Sequence, residues 1–160
     1  MNKVKTLCII ERNNQILLGM KKKGFGEGWW NGFGGKVEEG EEIEKAAIRE
    51  TREEVGIRVK KMEKRGIILF HFEGDPDAIE MHIFAVLESE GKPKESEEMS
   101  PEWFEKDKIP YDKMWPADRQ WMPIYLEGKY FEGEVHFTQD KEVVDFEIHE
   151  VTPQAIEKKG

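Results

Sequence analysis

The sequence predicts an α+β domain organised around a mixed β-sheet. Three observations predict it: short period-two apolar runs outnumber helical stretches, one well-formed helical segment sits mid-chain, and turn residues separate the runs without a linker-like break. A chain of 160 residues has room for one core, placed over residues 1–151, with a polar tail over 152–160 expected to fray.

Taken in order, residues 4–10 and 15–20 read as strands around the turn Arg12-Asn13-Asn14. Residues 24–35 hold six glycines with Phe25, Trp29, Trp30 and Phe33, a loop that combines backbone freedom with aromatic surface. Residues 42–55 are the clearest helix, stopped by Gly56 at the C-terminal cap. Residues 67–73 and 79–87 alternate with period two, their faces reading Ile68/Phe70/Phe72 and Ile79/Met81/Ile83/Ala85. Gly74-Asp75-Pro76-Asp77 turns the chain between them. Residues 88–100 are polar and acidic and read as a loop, 102–104 as a short strand, and 118–126 as a helix despite Pro123. Residues 130–138 and 142–151 read as a hairpin around Gln139-Asp140-Lys141.

Charge narrows the function. With 25 basic against 34 acidic residues the net charge is −9, which excludes a basic surface for duplex nucleic acid. No apolar run approaches the roughly 20 residues of a membrane span, and no signal-like apolar stretch follows residues 1–5. The expectation is a cytoplasmic monomer with no membrane partner. A single cysteine, Cys8, excludes a disulfide framework and a multi-cysteine zinc site, and is expected in the core or a pocket. His71, His82, His136 and His149 show no metal-ligand spacing along the chain and are expected on strand surfaces. So acidic a protein needs cations to handle a phosphorylated substrate.

On a helical wheel of residues 42–55, Lys45, Arg49 and Arg52 fall on a solvent side, while Ile48, Thr51 and Val55 can pack inward. Glu50, Glu53 and Glu54 share a third arc that continues Ile43, Ala46 and Ala47. Two such carboxylates at ~4 Å repel by on the order of 4 kcal/mol at an effective dielectric of ~20. Arg49 can offset part of this by pairing with Glu53; a divalent cation can offset the rest. Magnesium takes its ligands from carboxylates, water and phosphate oxygens, and this arc supplies the first. A solvated acidic face is the alternative. Just upstream, Gly32-Phe33-Gly34-Gly35-Lys36 offers unobstructed backbone groups and one cation to a phosphate.

Together the two segments carry a resemblance. Gly35, then Glu41 after five intervening residues, then Arg49-Glu50-Thr51-Arg52-Glu53-Glu54-Val55-Gly56-Ile57 after seven more, resembles the Nudix box, G-x5-E-x7-R-E-U-x-E-E-x-G-U, where U is a bulky aliphatic residue. Every fixed polar and glycine position is filled; Thr51, at the first U, departs. The resemblance implies an α/β/α sandwich around a mixed sheet. It also implies magnesium-dependent hydrolysis, with manganese as a substitute, of a diphosphate linked to another moiety.

Leu17-Leu18-Gly19-Met20-Lys21-Lys22, Gly24-Phe25-Gly26, Trp30-Asn31-Gly32-Phe33-Gly34-Gly35-Lys36-Val37, Met114-Trp115-Pro116 and Trp121 are similar to the MutT-homologue branch, the 8-oxo-dGTP diphosphatases. That resemblance implies metal-site roles for the Gly34 carbonyl, Glu50, Glu53, Glu54 and Glu98, and phosphate contacts for Lys21 and Lys36. It implies a base pocket lined by Thr6, Phe25, Asn31, Phe70, Phe72, Met81, Met99, Trp115 and Asp118, with Phe33, Gly34, Gly35 and Pro116 beside the substrate. Physically, Trp115 could stack on a purine while Asn31 and Asp118 read its edge. Phe70 and Phe72, on one strand face, read more readily as core residues. One position departs from the branch: its members carry two acids after Trp-Pro, and this chain has Ala117-Asp118. An acid pair raises one pKa so that a carboxyl can donate; a lone Asp118 lacks that neighbour, so an altered or narrowed purine preference is expected.

The reaction implied is attack of water on the triphosphate bridge, giving nucleoside monophosphate and pyrophosphate. Glu53, Glu54 or Glu98 takes the proton, and Arg49 orients the glutamates. ADP-ribose, a dinucleoside polyphosphate or an RNA 5′ end are the competing substrates. A non-catalytic nucleotide sensor is the competing class, disfavoured because Glu50, Glu53 and Glu54 are all present.

Overall fold

The computed structural model describes residues 2–24 and 26–157. Phe25, given a base-pocket role above, lies outside the described residues, as do 158–160. In chain order the elements are β1 (Lys3–Arg12), β2 (Gln15–Lys21), β3 (Trp30–Asn31), α1 (Ile43–Val55), β4 (Arg58–Phe72), β5 (Ile79–Glu90), β6 (Met99–Glu105), a single 3-10 turn at Tyr111–Lys113, α2 (Asp118–Leu126), β7 (Tyr130–Phe137), β8 (Val143–Val151) and α3 (Pro153–Glu157).

The strands form one mixed sheet, ordered β3-β2-β1-β5-β4-β7-β8, with β6 on the other side of β2. β1 with β5 and β4 with β7 are parallel pairs; the other pairs are antiparallel. The β1–β2 turn works because Asn13 and Asn14 both accept positive φ, at 50° and 63°, as a two-residue hairpin requires.

Side-chain alternation divides the core in two. Ile9, Ile68, Ile83, Ala85, Phe131, Val135 and Phe137 face α2, where Trp121, Met122 and Tyr125 meet them. Cys8, Ile10, Leu17, Phe33, Phe84 and Val86 face α1 and meet Ala47 and Val55. The expected α/β/α layering of a mixed sheet is what the chain forms.

Several elements differ from expectation. β4 begins at Arg58, well before residue 67, because register shifts at Val59/Lys61, Lys61/Met62 and Lys64/Gly66 break the alternation that marks a strand in sequence. The loop read over 88–100 shortens, since β5 runs to Glu90 and β6 starts at Met99. The tail does not fray over Pro153–Glu157: α3 buries Ile156 completely and packs on β4 and β7. His82 is buried rather than on the surface, because β5 lies between β1 and β4. Its Nε2 meets Glu80 Oε2 at 2.7 Å, and burial lowers its pKa.

Candidate active site

Two local features build the site: a gap between β1 and β2, and the acidic arc of α1. β2 pairs with β6 along its whole length, Gln15–Lys21, but with β1 only through Gln15–Leu17. The glycine segment fills the gap. Trp30–Asn31 pairs with β2, while Phe33 and Lys36 bridge to Cys8 and Lys5 on β1. Backbone bonds from Thr6 N–H to the Gly35 carbonyl (2.9 Å) and from Val37 N–H to the Val4 carbonyl (3.0 Å) close the seam. Glycine is required by proximity here. A Cβ at Gly34 would lie 1.9 Å from the Thr6 carbonyl oxygen, and one at Gly35 would lie 2.6 Å from the Glu50 carboxyl carbon.

α1 presents its carboxylates to this seam. Its C-terminus is fixed by Gly56, at φ 73°, whose N–H reaches the Arg52 carbonyl. Thr51, the departure from the box pattern, is fully buried and donates its hydroxyl to the Ala47 carbonyl at 2.8 Å, so no polar group is stranded there. Ile48, expected inward, is 39% exposed instead. Arg49, placed on the solvent side by the wheel, is 28% exposed and lies among the acids. Its guanidinium donates to Glu41 (2.8 and 3.0 Å), Glu50 (3.0 Å), Glu53 (3.3 Å) and the Lys36 carbonyl (3.3 Å). That contact holds the Glu41 carboxyl down to about 2.

Glu54 differs from its neighbours. It lines the cavity described below, and its Oε1 accepts the Gly34 N–H at 2.7 Å. Burial pushes its pKa up to about 7, against the Gly34 hydrogen bond, and the charges of Glu50 and Glu98 push the same way. A desolvated carboxylate facing further carboxylates, with a glycine cradle that a Cβ would fill, is a donor set suited to a hard divalent cation. Glu50 and Glu54 border that cradle. Glu53, with its side chain 59% exposed, stands outside it on Arg49, and Glu98 is exposed immediately before β6.

Beside the carboxylates is a cavity of about 190 Å³. Of the residues expected there, Thr6, Lys21, Asn31, Gly34, Gly35, Phe70, Phe72, Met81, Met99, Trp115 and Asp118 line it. Three do not. Phe33 is completely buried in the core under α1, because alternation along the seam turns it away from the cavity. Lys36 is exposed at the outer end of the seam, and Pro116 lies half-buried in the turn before α2. Lys5, Leu7, Gly32, Ile79, Ala117, Trp121 and Phe137 also line it and were not anticipated as lining residues. Lys5 is the consequential one: burial and the charges of Lys3, Lys21 and Lys36 lower its pKa, as expected of cations gathered where an anion would sit. Its signal, a lysine on the apolar face of a strand with Leu7 and Ile9, was present in the sequence.

The inner wall is aromatic. Trp115 meets Trp29 edge-on at 4.9 Å and Phe137 at 6.0 Å, and Phe72 stacks on Phe137 at 5.0 Å. At its base the buried Asp118 accepts the Trp121 indole N–H at 3.0 Å. Burial pushes Asp118 up to about 7. Burial thus favours the protonated form of Asp118 without an acidic neighbour. The raised pKa also has a sign for stability. Folding favours protonated Asp118, so its contribution is complete below the ordinary carboxyl range and is lost as pH rises through about 7. Asp118→Asn, which keeps the acceptor for Trp121, is expected to raise the Tm at pH 8 and leave it nearly unchanged at pH 4, measured by thermal unfolding.

Cys8 is fully buried, and burial pushes its thiol up to about 12, so it is a core residue without nucleophilic character. Among the described residues no helix is long and apolar enough to cross a membrane.

Comparison with known proteins agrees with this geometry. The NUDIX domain family matches residues 1–125. The mouse oxidized purine nucleoside triphosphate hydrolase is 46% identical over 146 residues, covering 91% of this chain and 94% of its own length. The zebrafish protein of the same description is 46% identical over 150 residues, covering 94% of this chain and 96% of its own. Among solved structures, the MutT protein of Bacillus halodurans superposes with a TM-score of 0.83 at 32% identity, covering 91% of this chain and 97% of that one. The box read along α1, the sheet that carries it and these similarities converge, and the chain belongs to the Nudix family of divalent-cation-dependent hydrolases.

Proposed function

We propose that this protein hydrolyses purine nucleoside triphosphates, oxidised ones such as 8-oxo-dGTP foremost, to the monophosphate and pyrophosphate, with magnesium as the cation and as a single-domain cytoplasmic monomer. One observation carries the reading: a single cavity of about 190 Å³ is lined by aromatic side chains and the buried Asp118 together with Lys5, Lys21 and Glu54 of α1. The mouse and zebrafish relatives carry the corresponding activity in their names.

In this reading Trp115 and Phe72 hold the base, and Asn31 and Asp118 address its edge. Lys5 and Lys21 take charge on the phosphate oxygens. Glu50, Glu54 and the Gly34 carbonyl, with Glu53 and Glu98 alongside, would hold the cation, which when bound would offset phosphate charge and make water more acidic. Water adds to a phosphorus of the triphosphate bridge, the P–O bond to pyrophosphate breaks, and a glutamate of this set accepts the water proton. Arg49 keeps Glu41, Glu50 and Glu53 in place and does not touch substrate.

The test is pyrophosphate release with magnesium over 8-oxo-dGTP, 2-hydroxy-dATP, dGTP and dATP, scored by kcat/KM beside ADP-ribose and a dinucleoside polyphosphate. An oxidised purine triphosphate should lead. Preference for ADP-ribose, or no turnover of any triphosphate, would reject the assignment.

Ala117 sharpens the expectation. It is 1% exposed and lines the cavity beside Asp118, so a carboxyl introduced there would be buried against a second one. Ala117→Asp is expected to change the ratio of kcat/KM for 2-hydroxy-dATP over 8-oxo-dGTP by about tenfold or more, the scale of one buried hydrogen bond. An unchanged ratio would remove Ala117 from the specificity argument.

A further inference from the structure

The sheet face opposite the cavity is unevenly covered. α1 packs over β1 and the early part of β4. Farther along, the side chains on that face are Ile67, Leu69 and His71 of β4 and Glu132, Glu134 and His136 of β7, since Ile68, Val135 and Phe137 point to α2. Parallel pairing sets Leu69 beside Glu134 and His71 beside His136. His71 Nε2 lies 3.0 Å from Glu134 Oε1, and the His71 and His136 rings stack with centroids 4.5 Å apart at 10°. One nitrogen from each ring and one Glu134 oxygen lie within 4.8 Å of one another.

We propose that His71, Glu134 and His136 form a second cation site, selective for zinc-class metals and separate from the carboxylate site of α1. Two imidazoles and one carboxylate, with positions left open to water, match the ligand set of a three-protein-ligand zinc site. Tetrahedral zinc places its ligand atoms roughly 3.3 Å apart. The Glu134–His71 pair lies near that spacing at 3.0 Å, and the exposed His136 ring must leave its stack on His71 for its nitrogen to complete the set. Imidazole nitrogen selects against magnesium, which prefers oxygen, so the two sites divide metals by chemistry. Asp145, the cross-strand neighbour of His136, stands nearest in register to add an oxygen. A metal here clips β4 to β7, the strands whose opposite faces supply Phe70, Phe72 and Phe137 to the cavity. The inference does not rest on the nucleotide reading.

The test uses the whole chain, stripped with a chelator and saturated with magnesium, titrated with zinc chloride by calorimetry. One equivalent of zinc is expected to bind in wild type and equally in Glu54→Gln, to move the imidazole 15N resonances of His71 and His136, and to raise the Tm. Binding is expected to weaken at least tenfold in His71→Gln and in His136→Gln, with magnesium-supported turnover unchanged. Zinc uptake unaffected by both histidine variants, uptake lost in Glu54→Gln, or imidazole resonances that stay still in the unmodified protein would each overturn the site.

Discussion

Glu54→Gln is expected to lower kcat by about 10³-fold or more while leaving a folded protein. Glutamine keeps the size of the side chain and can still accept the Gly34 N–H that Glu54 Oε1 accepts at 2.7 Å. It loses the charge, and both tasks open to this group, ligating a cation and taking a proton from water, need an ionised oxygen. The fold should not suffer. Because burial pushes Glu54 up to about 7, folding favours its neutral form, and the stability it contributes declines as pH rises through that value. In metal-free buffer at pH 8 the glutamine variant should therefore melt no lower than wild type. Steady-state turnover with magnesium and a melting curve in chelator separate the two effects; a kcat within tenfold of wild type would remove Glu54 from the chemistry.

Gly34→Ala should damage both stability and turnover. The added methyl would sit 1.9 Å from the Thr6 carbonyl oxygen and 2.5 Å from its carbon, both backbone atoms that no rotamer change can move. The seam must therefore shift away from β1. Overpacking of this kind costs about 1–3 kcal/mol, or a fall in Tm of roughly 3–10 °C for a domain of this size. The displacement carries the Gly34 carbonyl and the Glu54 partner with it, and a shift of about 1 Å in a positioning element can cost on the order of 100-fold in rate. Melting temperature and kcat/KM should fall together, unlike the pattern for Glu54→Gln. A variant with wild-type values in both would mean that the seam opens freely.

Much of this was legible in the sequence, for reasons that can be stated. α1 announces itself because a long helix with a glycine cap has a strong period. The β1–β2 and β7–β8 hairpins announce themselves because their turn residues are specific. The box glutamates stand out in the sequence because three acids continue an apolar helix face at the spacing of the box. Four things were not readable. The first half of β4 is hidden by bulges that shift its alternation. Arg49 looks like a surface residue on a wheel, since the wheel knows nothing of Glu41 or the Lys36 carbonyl arriving from another segment. His71 and His136 are far apart in sequence and become neighbours only through the parallel pairing of β4 with β7. Asp118 was assigned to the base pocket, but its proton affinity comes from burial, which no sequence pattern displays.

The short ribbon from Asn31 to Lys36 ties together what a substrate would touch at its two ends. Asn31 borders the aromatic slot, and three residues later Gly34 meets Glu54. A ribbon held by β1 on one side and β2 on the other cannot give way at one end without disturbing the other. Occupancy of the two ends is then thermodynamically reciprocal: whatever factor the cation adds to nucleobase affinity, the nucleobase returns to the cation.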